Sequence, residues 1–322
     1  MKRLGVMICA LLILVGCGSG KGASDDKVLK IGVLQLVDHP SLDATLTGLK
    51  EELDTLLGSD KYEIIYKNAQ GSPVDANTIA AQLVEEDVDL IYAIATIAAQ
   101  AVLNATKNTE IPVVFNAVTD PVDAGLVATL EAPGGNVTGV SDAAPIDKQM
   151  ALIKEVMPNA QNIGVVYNVG EANSLIQVEQ TKQAASKIGL NVIESGISQA
   201  SDLQLASGTL AEKVDAMYVI TDNMVVSGIS TLIDQTNKAN VPVFAAEAGQ
   251  FDKGLLASDS ISYNDLGHVA GKMVKEILID GKKPESLAVQ GANETELLVS
   301  ESVAKQLGIE IPNTVLERAT LK

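Results

Sequence analysis

The chain has 322 residues, enough for two domains with separate cores, and 47% of its residues are hydrophobic. Its formal net charge of −18 argues against nucleic acid or an anionic lipid surface as a partner. Aromatic residues make up only 3% and Trp is absent, so the cores must be packed with aliphatic side chains.

The N-terminal segment has the pattern of an export signal. Two basic residues precede an apolar run over residues 4–15, which is too short to span a bilayer as a finished helix. Leu14-Val15-Gly16-Cys17 then resembles the lipobox of bacterial lipoproteins, in which the peptide is cut before the cysteine and the cysteine carries lipid. We expect residues 1–17 to be a lipoprotein signal with lipidated Cys17, and residues 18–27 to be a flexible tether. A plain secretory signal or a membrane anchor is the alternative.

Two similar α/β units follow in tandem, beginning with Ile31-Gly32-Val33-Leu34-Gln35 and Ile163-Gly164-Val165-Val166-Tyr167. In the first unit we predict strands over residues 29–36, 62–67, 88–95 and 112–116, and helices over 41–57, 74–86 and 97–107. In the second we predict strands over 163–168, 191–194, 216–220 and 241–245, and helices over 146–157, 175–188, 201–210 and 226–239. Apolar strands that alternate with amphipathic helices predict two Rossmann-like lobes with parallel sheets.

Polar residues at the strand ends are the candidate ligand site. Ligands of parallel sheets bind beyond the carboxyl ends of the strands, and a cleft between two lobes suits a small molecule. The predicted ligand-binding set is Gln35, Asp38, Thr96, Asp120, Asp142, Tyr167, Asn168, Asn173, Ser174, Thr221, Asp222, Asn223 and Glu247.

The types of these residues favour a zwitterion. Thr96 and Ser174 are predicted to open helices, where free N–H groups attract a carboxylate. Asp142 and Asp222 would each bind an ammonium group. We expect Thr96 and Asp120 to hold the ligand from one lobe, and Ser174 and Asp222 from the other. Helix capping is the alternative role for each, because Ser, Thr, Asn and Asp are the usual N-cap residues.

The sequence lacks a catalytic constellation. His268 lies on an amphipathic helix, and His39 precedes a proline at a helix start, where it is structural, gating or ligand-facing. No Ser-His-Asp set, glycine-rich phosphate loop or metal cluster is evident. Cys9 would leave with the signal, so no disulfide or cysteine metal site is expected. We expect a protein that is not an enzyme, with no catalytic residues, no metal and no cofactor.

Several stretches have the pattern of a known family: residues 38–43, 119–121 with 124–127, 133–142, 164–168 with Glu171 and 173–174, 221–223, and Tyr263 with 266–267. They resemble the type I periplasmic-binding-protein fold and, more closely, the tryptophan/tyrosine-type substrate-binding lipoproteins of ABC transporters. Ile97 is a departure, because the family pattern has Pro after Thr96.

The resemblance implies three crossings between lobes, which we place near Ser141, Ala257 and Val289, with a helix over residues 263–280 returning to the first lobe. The expected N-terminal lobe is 28–141 plus 258–288, and the C-terminal lobe is 142–257 plus 289–322.

The implied function is an extracytoplasmic receptor, a monomer held to the bacterial membrane by its lipid. It would bind an amino acid, often an aromatic one in this family, between closing lobes and deliver it to an ABC permease. A nucleoside, sugar or other small polar metabolite is the alternative ligand, and a surface hydrolase is the weakest alternative.

Overall fold

The computed structural model describes residues 27–292 and 294–322, so the expected signal, Cys17 and nearly all of the tether lie outside the described residues. The strands, in chain order, are β1 (Leu29–Gln35), β2 (Tyr62–Asn68), β3 (Leu90–Ile94), β4 (Val113–Val118), β5 (Val137–Ser141), β6 (Asn162–Asn168), β7 (Asn191–Ile197), β8 (Ala216–Val219), β9 (Val243–Ala245), β10 (Ala257–Ser260), β11 (Gln290–Gly291), β12 (Glu296–Val299) and β13 (Thr320–Leu321). The helices are α1 (Pro40–Leu56), α2 (Pro73–Glu85), α3 (Thr96–Thr106), α4 (Ile146–Val156), α5 (Ala172–Lys187), α6 (Leu203–Ala211), α7 (Asn223–Ser227), α8 (Ile229–Ala239), α9 (Tyr263–Leu278), α10 (Glu301–Leu307) and α11 (Asn313–Leu316).

The strands form two sheets with the same core topology. The first has the order β11-β5-β4-β3-β1-β2, and all its neighbours are parallel. The second has the order β13-β12-β10-β9-β8-β6-β7 and is parallel except for the antiparallel pair β10–β12. In both, the strand order reverses beside the first strand of the lobe, which is where ligands bind in open α/β sheets. The predicted fold of two Rossmann-like lobes is confirmed.

The chain passes between the sheets three times, and two of these crossings come slightly later than the positions near Ala257 and Val289. The first follows β5. The second follows Ser260 rather than Ala257, because β10 still pairs with β9 and β12 of the second sheet. The third follows Gly291 rather than Val289, because β11 pairs with β5 of the first sheet.

Helix α9 joins the first lobe by a close glycine contact with α1. A Cβ added at Gly267 would lie 2.8 Å from the backbone nitrogen of Leu49, and closer still to the Thr45 carbonyl oxygen. Gly48, opposite, is equally confined by the Asn264 carbonyl. Because neither glycine has a side chain, the two helix backbones come close together at this crossing, and α9 becomes part of the core of the first lobe. Tyr263 is the first residue of α9.

The second sheet is covered on both faces. Met217 and Tyr218 are neighbours on β8, yet their side chains belong to two different buried clusters. The predicted helix over 226–239 is two helices, since the chain turns at Gly228 between α7 and α8. Within the described part of the chain, none of the helices is sufficiently long and apolar to span a membrane.

Candidate ligand-binding site

A small enclosed cavity lies between the two lobes, beyond the carboxyl ends of the strands. The space left between the facing side chains is about 10 Å³, which is room for about one water molecule. A larger guest therefore requires these side chains or the lobes to move. The lining residues are His39, Leu42, Ala117, Thr119, Asp142, Asn173, Thr221, Asp222, Asn223, Val226, Glu247 and Tyr263.

Asp142 is held at the end of β5 by two hydroxyl groups of the first lobe. The Tyr263 hydroxyl donates to its Oδ2 at 2.8 Å, and the Thr119 hydroxyl donates to its Oδ1 at 3.1 Å. Burial raises the pKa of Asp142 in spite of these hydrogen bonds, which act in the opposite direction. Burial and the adjacent Asp142 carboxylate also raise the pKa of Tyr263. Asp142 is therefore a fixed, dehydrated acidic group on the cavity wall.

Asp222 is the corresponding acidic group of the second lobe. As the N-cap of α7, it accepts from the Val225 N–H at 2.9 Å. Its other oxygen accepts from the Ser174 hydroxyl at 2.7 Å and from the Asn168 N–H. Burial, followed by the charge of nearby Glu171, raises the pKa of Asp222 to about 7, against the effect of these hydrogen bonds.

Glu171 lies behind the cavity wall and organises three of its neighbours. Its carboxylate accepts from the side chains of Asn168, Asn173 and Asn223 and from the backbone N–H groups of Asn223 and Met224. The N–H groups at the start of α7 are thereby occupied by Glu171. They are not free to bind the carboxylate of a ligand.

Glu247 connects the lobes. One of its oxygens accepts from the Ser41 hydroxyl on α1 and from the Gly249 N–H, while Oε1 is buried without a hydrogen-bond partner. Two weaker contacts also cross the cleft. The hydroxyl oxygens of Thr119 and Thr221 are 3.3 Å apart, and His39 Nε2 is 3.5 Å from the Asn223 side-chain oxygen. The lobes therefore meet through polar side chains.

Six of the predicted ligand-binding residues line the cavity together: Asp142, Asn173, Thr221, Asp222, Asn223 and Glu247. Two others support this set from behind. Ser174 is fully buried and its hydroxyl donates to Asp222, so it is not a free anion-binding hydroxyl at a helix start. Asn168 bonds to Asp222 through its backbone and to Glu171 through its side chain.

The other five predicted residues lie elsewhere. Gln35 is buried inside the first lobe, where it donates to Asp43 at 2.7 Å. Asp38 is exposed and accepts from Tyr66 and Asn68, and Asp120 accepts from the N–H groups of its own turn. Thr96 is buried at the start of α3, and Tyr167 packs against the second lobe's core. Neither Thr96 nor Asp120 lines the cavity, which differs from the expected first-lobe grip.

The first lobe instead contributes residues outside the predicted set. His39 and Leu42 come from the start of α1, Ala117 and Thr119 from the end of β4, and Tyr263 from the start of α9. Val226 of α7 is the further addition from the second lobe. His39 and Tyr263 both lie in stretches that carry the family resemblance, and this was the signal in the sequence that pointed to them.

A larger apolar groove of about 440 Å³ also opens between the lobes. Its walls include Leu36, Ile97 and Pro73 from the first lobe and Met224 from the second. Asn223 lines both this groove and the small cavity, so the two spaces share a wall. The groove has the size and apolar character of small-molecule pockets.

Comparison with known proteins places the chain in a family. The family model for ABC transporter substrate-binding proteins matches residues 30–322. A protein of Clostridioides difficile (strain R20291) named tyrosine-binding protein is 40% identical, over 96% of this chain and 93% of its own.

Among solved structures, a Streptococcus pneumonia ABC domain in complex with L-Trp has a TM-score of 0.88 at 38% identity, covering 91% of this chain and 99% of its own. A substrate-binding protein of Clostridium difficile in a ligand-free, open structure has a TM-score of 0.70 at 40% identity, covering 92% and 99%. The TM-score is thus higher with the L-Trp complex than with the ligand-free, open structure. The chain belongs to the family of ABC transporter substrate-binding proteins.

Proposed function

We propose that this protein binds an aromatic amino acid between its two lobes and delivers it to an ABC permease. The observation that carries the proposal is the cavity itself, where buried acidic and hydroxyl groups from both lobes converge beside an apolar groove. The cavity supplies polar partners for the charged head of an amino acid, and the groove offers space for its side chain. The relatives named for tyrosine binding and solved with L-Trp support the same ligand class.

Contacts from both lobes give the ligand a means to favour closure. A ligand shifts an open–closed equilibrium only by its difference in affinity for the two forms. A guest held by Asp142 and Tyr263 on one side and by Asn173 and Glu247 on the other satisfies this condition, because the complete set exists only when the lobes meet.

Calorimetry with tryptophan, tyrosine, phenylalanine and leucine tests the ligand class, and solution scattering tests closure. A saturating concentration of an aromatic amino acid should give a measurable heat of binding. The radius of gyration of the complex should be equal to or smaller than that of the free protein. Asp142→Asn should weaken binding about tenfold or more, because it removes a charge-assisted contact. Asp120→Asn is the matched control, since Asp120 accepts only from its own turn. The proposal is wrong if all four amino acids give no heat of binding, or if the two variants bind alike.

Substrate-binding proteins of ABC transporters act outside the cytoplasm, and we propose that lipid on Cys17 holds this one at the membrane. The lipobox-like stretch and the preceding apolar run support this anchor. Cys17→Ser should abolish incorporation of labelled fatty acid and release the protein from membranes. Cys9→Ser, in the apolar run, is the control and should leave both unchanged. Labelled Cys17→Ser protein would disprove the anchor.

A further inference from the structure

Among the polar groups that face the cavity, the unpaired ones are hydrogen-bond acceptors, because the side-chain donors are already engaged. The Thr119 and Tyr263 hydroxyls both donate to Asp142. The Thr221 hydroxyl donates to Gln177 at 2.8 Å, and the Asn223 side-chain amide donates to Glu171 at 2.6 Å. Each of these side-chain donors is therefore already engaged with an acceptor of the protein.

Three polar atoms on the cavity wall remain without a hydrogen-bond partner: Glu247 Oε1, Asn173 Oδ1 and His39 Nδ1. In the neutral ring, His39 Nδ1 is also an acceptor, because Nε2 faces the side-chain oxygen of Asn223 and carries the proton. Glu247 Oε1 and Asn173 Oδ1 are buried and make no hydrogen bond, although their residues are only 1% and 5% exposed. The Asn173 amide nitrogen is occupied, because it donates to the Thr221 carbonyl at 2.9 Å. A buried oxygen without a donor is unfavourable, so both oxygens offer positions for N–H donors of a guest.

The charged side chains of the cavity wall also favour a cationic guest, because they are acidic. Asp142, Asp222 and Glu247 all line the cavity, and no Lys or Arg does among the described residues. His39 is the one lining side chain that becomes cationic on protonation. Burial raises the pKa of Asp142 and of Asp222, as expected for acids without a cation nearby. A carboxylate guest would meet acidic groups and donors that are already occupied.

From this accounting we infer that the site anchors its ligand by a primary ammonium group at Glu247 Oε1 and Asn173 Oδ1, and that the ligand's carboxylate is dispensable. An ammonium has three N–H donors and one positive charge, which matches two free acceptors beside buried acids. A metal ion fits less well, since the described residues include no group of three or more His, Cys, Asp or Glu able to hold one. The ligand class then includes aromatic amines such as tyramine and tryptamine. This inference deepens the proposed function and rests on it.

Three matched ligand types test the inference by calorimetry on the wild-type protein. They are the amino acids tyrosine and tryptophan, the amines tyramine and tryptamine, and the corresponding aryl-propionic acids that keep the carboxylate but lack the amine. We expect the amines to bind within about tenfold of the amino acids, and the acids to bind at least about 100-fold more weakly. Acids that bind as well as the amino acids, or amines that do not bind, overturn the inference and leave the proposed function standing.

Substitution at the anchor gives a second readout. Glu247→Gln keeps the shape and removes the charge, and should weaken amine and amino-acid binding at least about tenfold. Glu86→Gln is the control, because Glu86 also has a buried oxygen without a partner but lies outside the cavity. Equal affinity for amines in both variants overturns the assignment to Glu247. If the amines bind and the amino acids do not, the proposed function is wrong and the inference stands. If none of the compounds binds, the proposed function and the inference are both wrong.

Discussion

Contact between the lobes at Gly249 controls how completely they close. The Ser41 hydroxyl donates across the cleft to the Glu247 oxygen that also accepts from the Gly249 N–H of its own lobe. A Cβ added at Gly249 would lie 2.8 Å from the Ser41 backbone nitrogen and closer still to the Ser41 hydroxyl, whereas ordinary contact begins at 3.4 Å. Gly249→Ala therefore forces the lobes about 1 Å apart at this point.

That displacement lengthens the hydrogen bond between Ser41 and Glu247, and its complete loss sets the upper limit of the effect. A hydrogen bond to a charged group contributes about 1.5–3 kcal/mol, so its loss lowers the ratio of closed to open protein by about 10- to 150-fold. A ligand that binds the closed form loses up to the same factor in affinity. We expect Gly249→Ala to weaken amino-acid binding by about 10- to 150-fold. Ser41→Ala removes the same hydrogen bond without a steric clash, and its loss of affinity should approach that of Gly249→Ala.

Calorimetry measures the loss of affinity, and solution scattering measures the radius of gyration with and without ligand. Gly135→Ala is the matched control, because Gly135 is exposed and an added Cβ would have nothing within 4 Å. If Gly249→Ala binds ligand as tightly as the wild-type protein and compacts to the same radius, the contact does not govern closure and the reasoning fails.

Three further predictions concern stability in urea. The folded pKa of Asp222 lies above its ordinary value of 3.8, so its contribution to the free energy of unfolding should fall as pH rises from about 4 to about 7, a fall that Asp222→Asn should lack. Gly267→Ala should lower the free energy of unfolding by about 1–3 kcal/mol through its clash with α1. Gly208→Ala on α6, where an added Cβ has no neighbour nearer than 3.4 Å, should be neutral or stabilising. Equal urea midpoints for the two variants would contradict this. Tyr92→Phe removes the acceptor of the Asn116 amide at 2.7 Å and should cost about 0.5–1.5 kcal/mol, and no change would show that bond to be unimportant.

Periodicity predicted the repeated elements well because each is a buried strand or an amphipathic helix with a strong pattern. It missed β5 and the C-terminal strands. Val137–Ser141 is a five-residue strand interrupted by a glycine, and β11 and β13 are two residues each, too short for any period to appear. These strands are specified by pairing with neighbours already in place.

Of the residues that the strand-end rule selected, those that line the cavity come mainly from the second lobe. Asp222 and Glu247 follow strands of the second sheet directly. The first lobe's contribution depends on tertiary contacts. Tyr263 reaches the cavity because α9 packs on α1, and Thr96 follows β3 without lining the cavity. A residue's place after a strand predicts at which edge of the sheet it lies, but it does not predict where its side chain points.

The discontinuous first lobe also determines when the polypeptide can finish folding. Its helix α9 and strand β11 follow the whole of residues 146–260, and the second sheet awaits β13 at residues 320–321. During synthesis, the first sheet is therefore incomplete until β11 has been made, and the second until β13 has been made. For a precursor with the proposed signal, this order of synthesis would favour export before folding is complete.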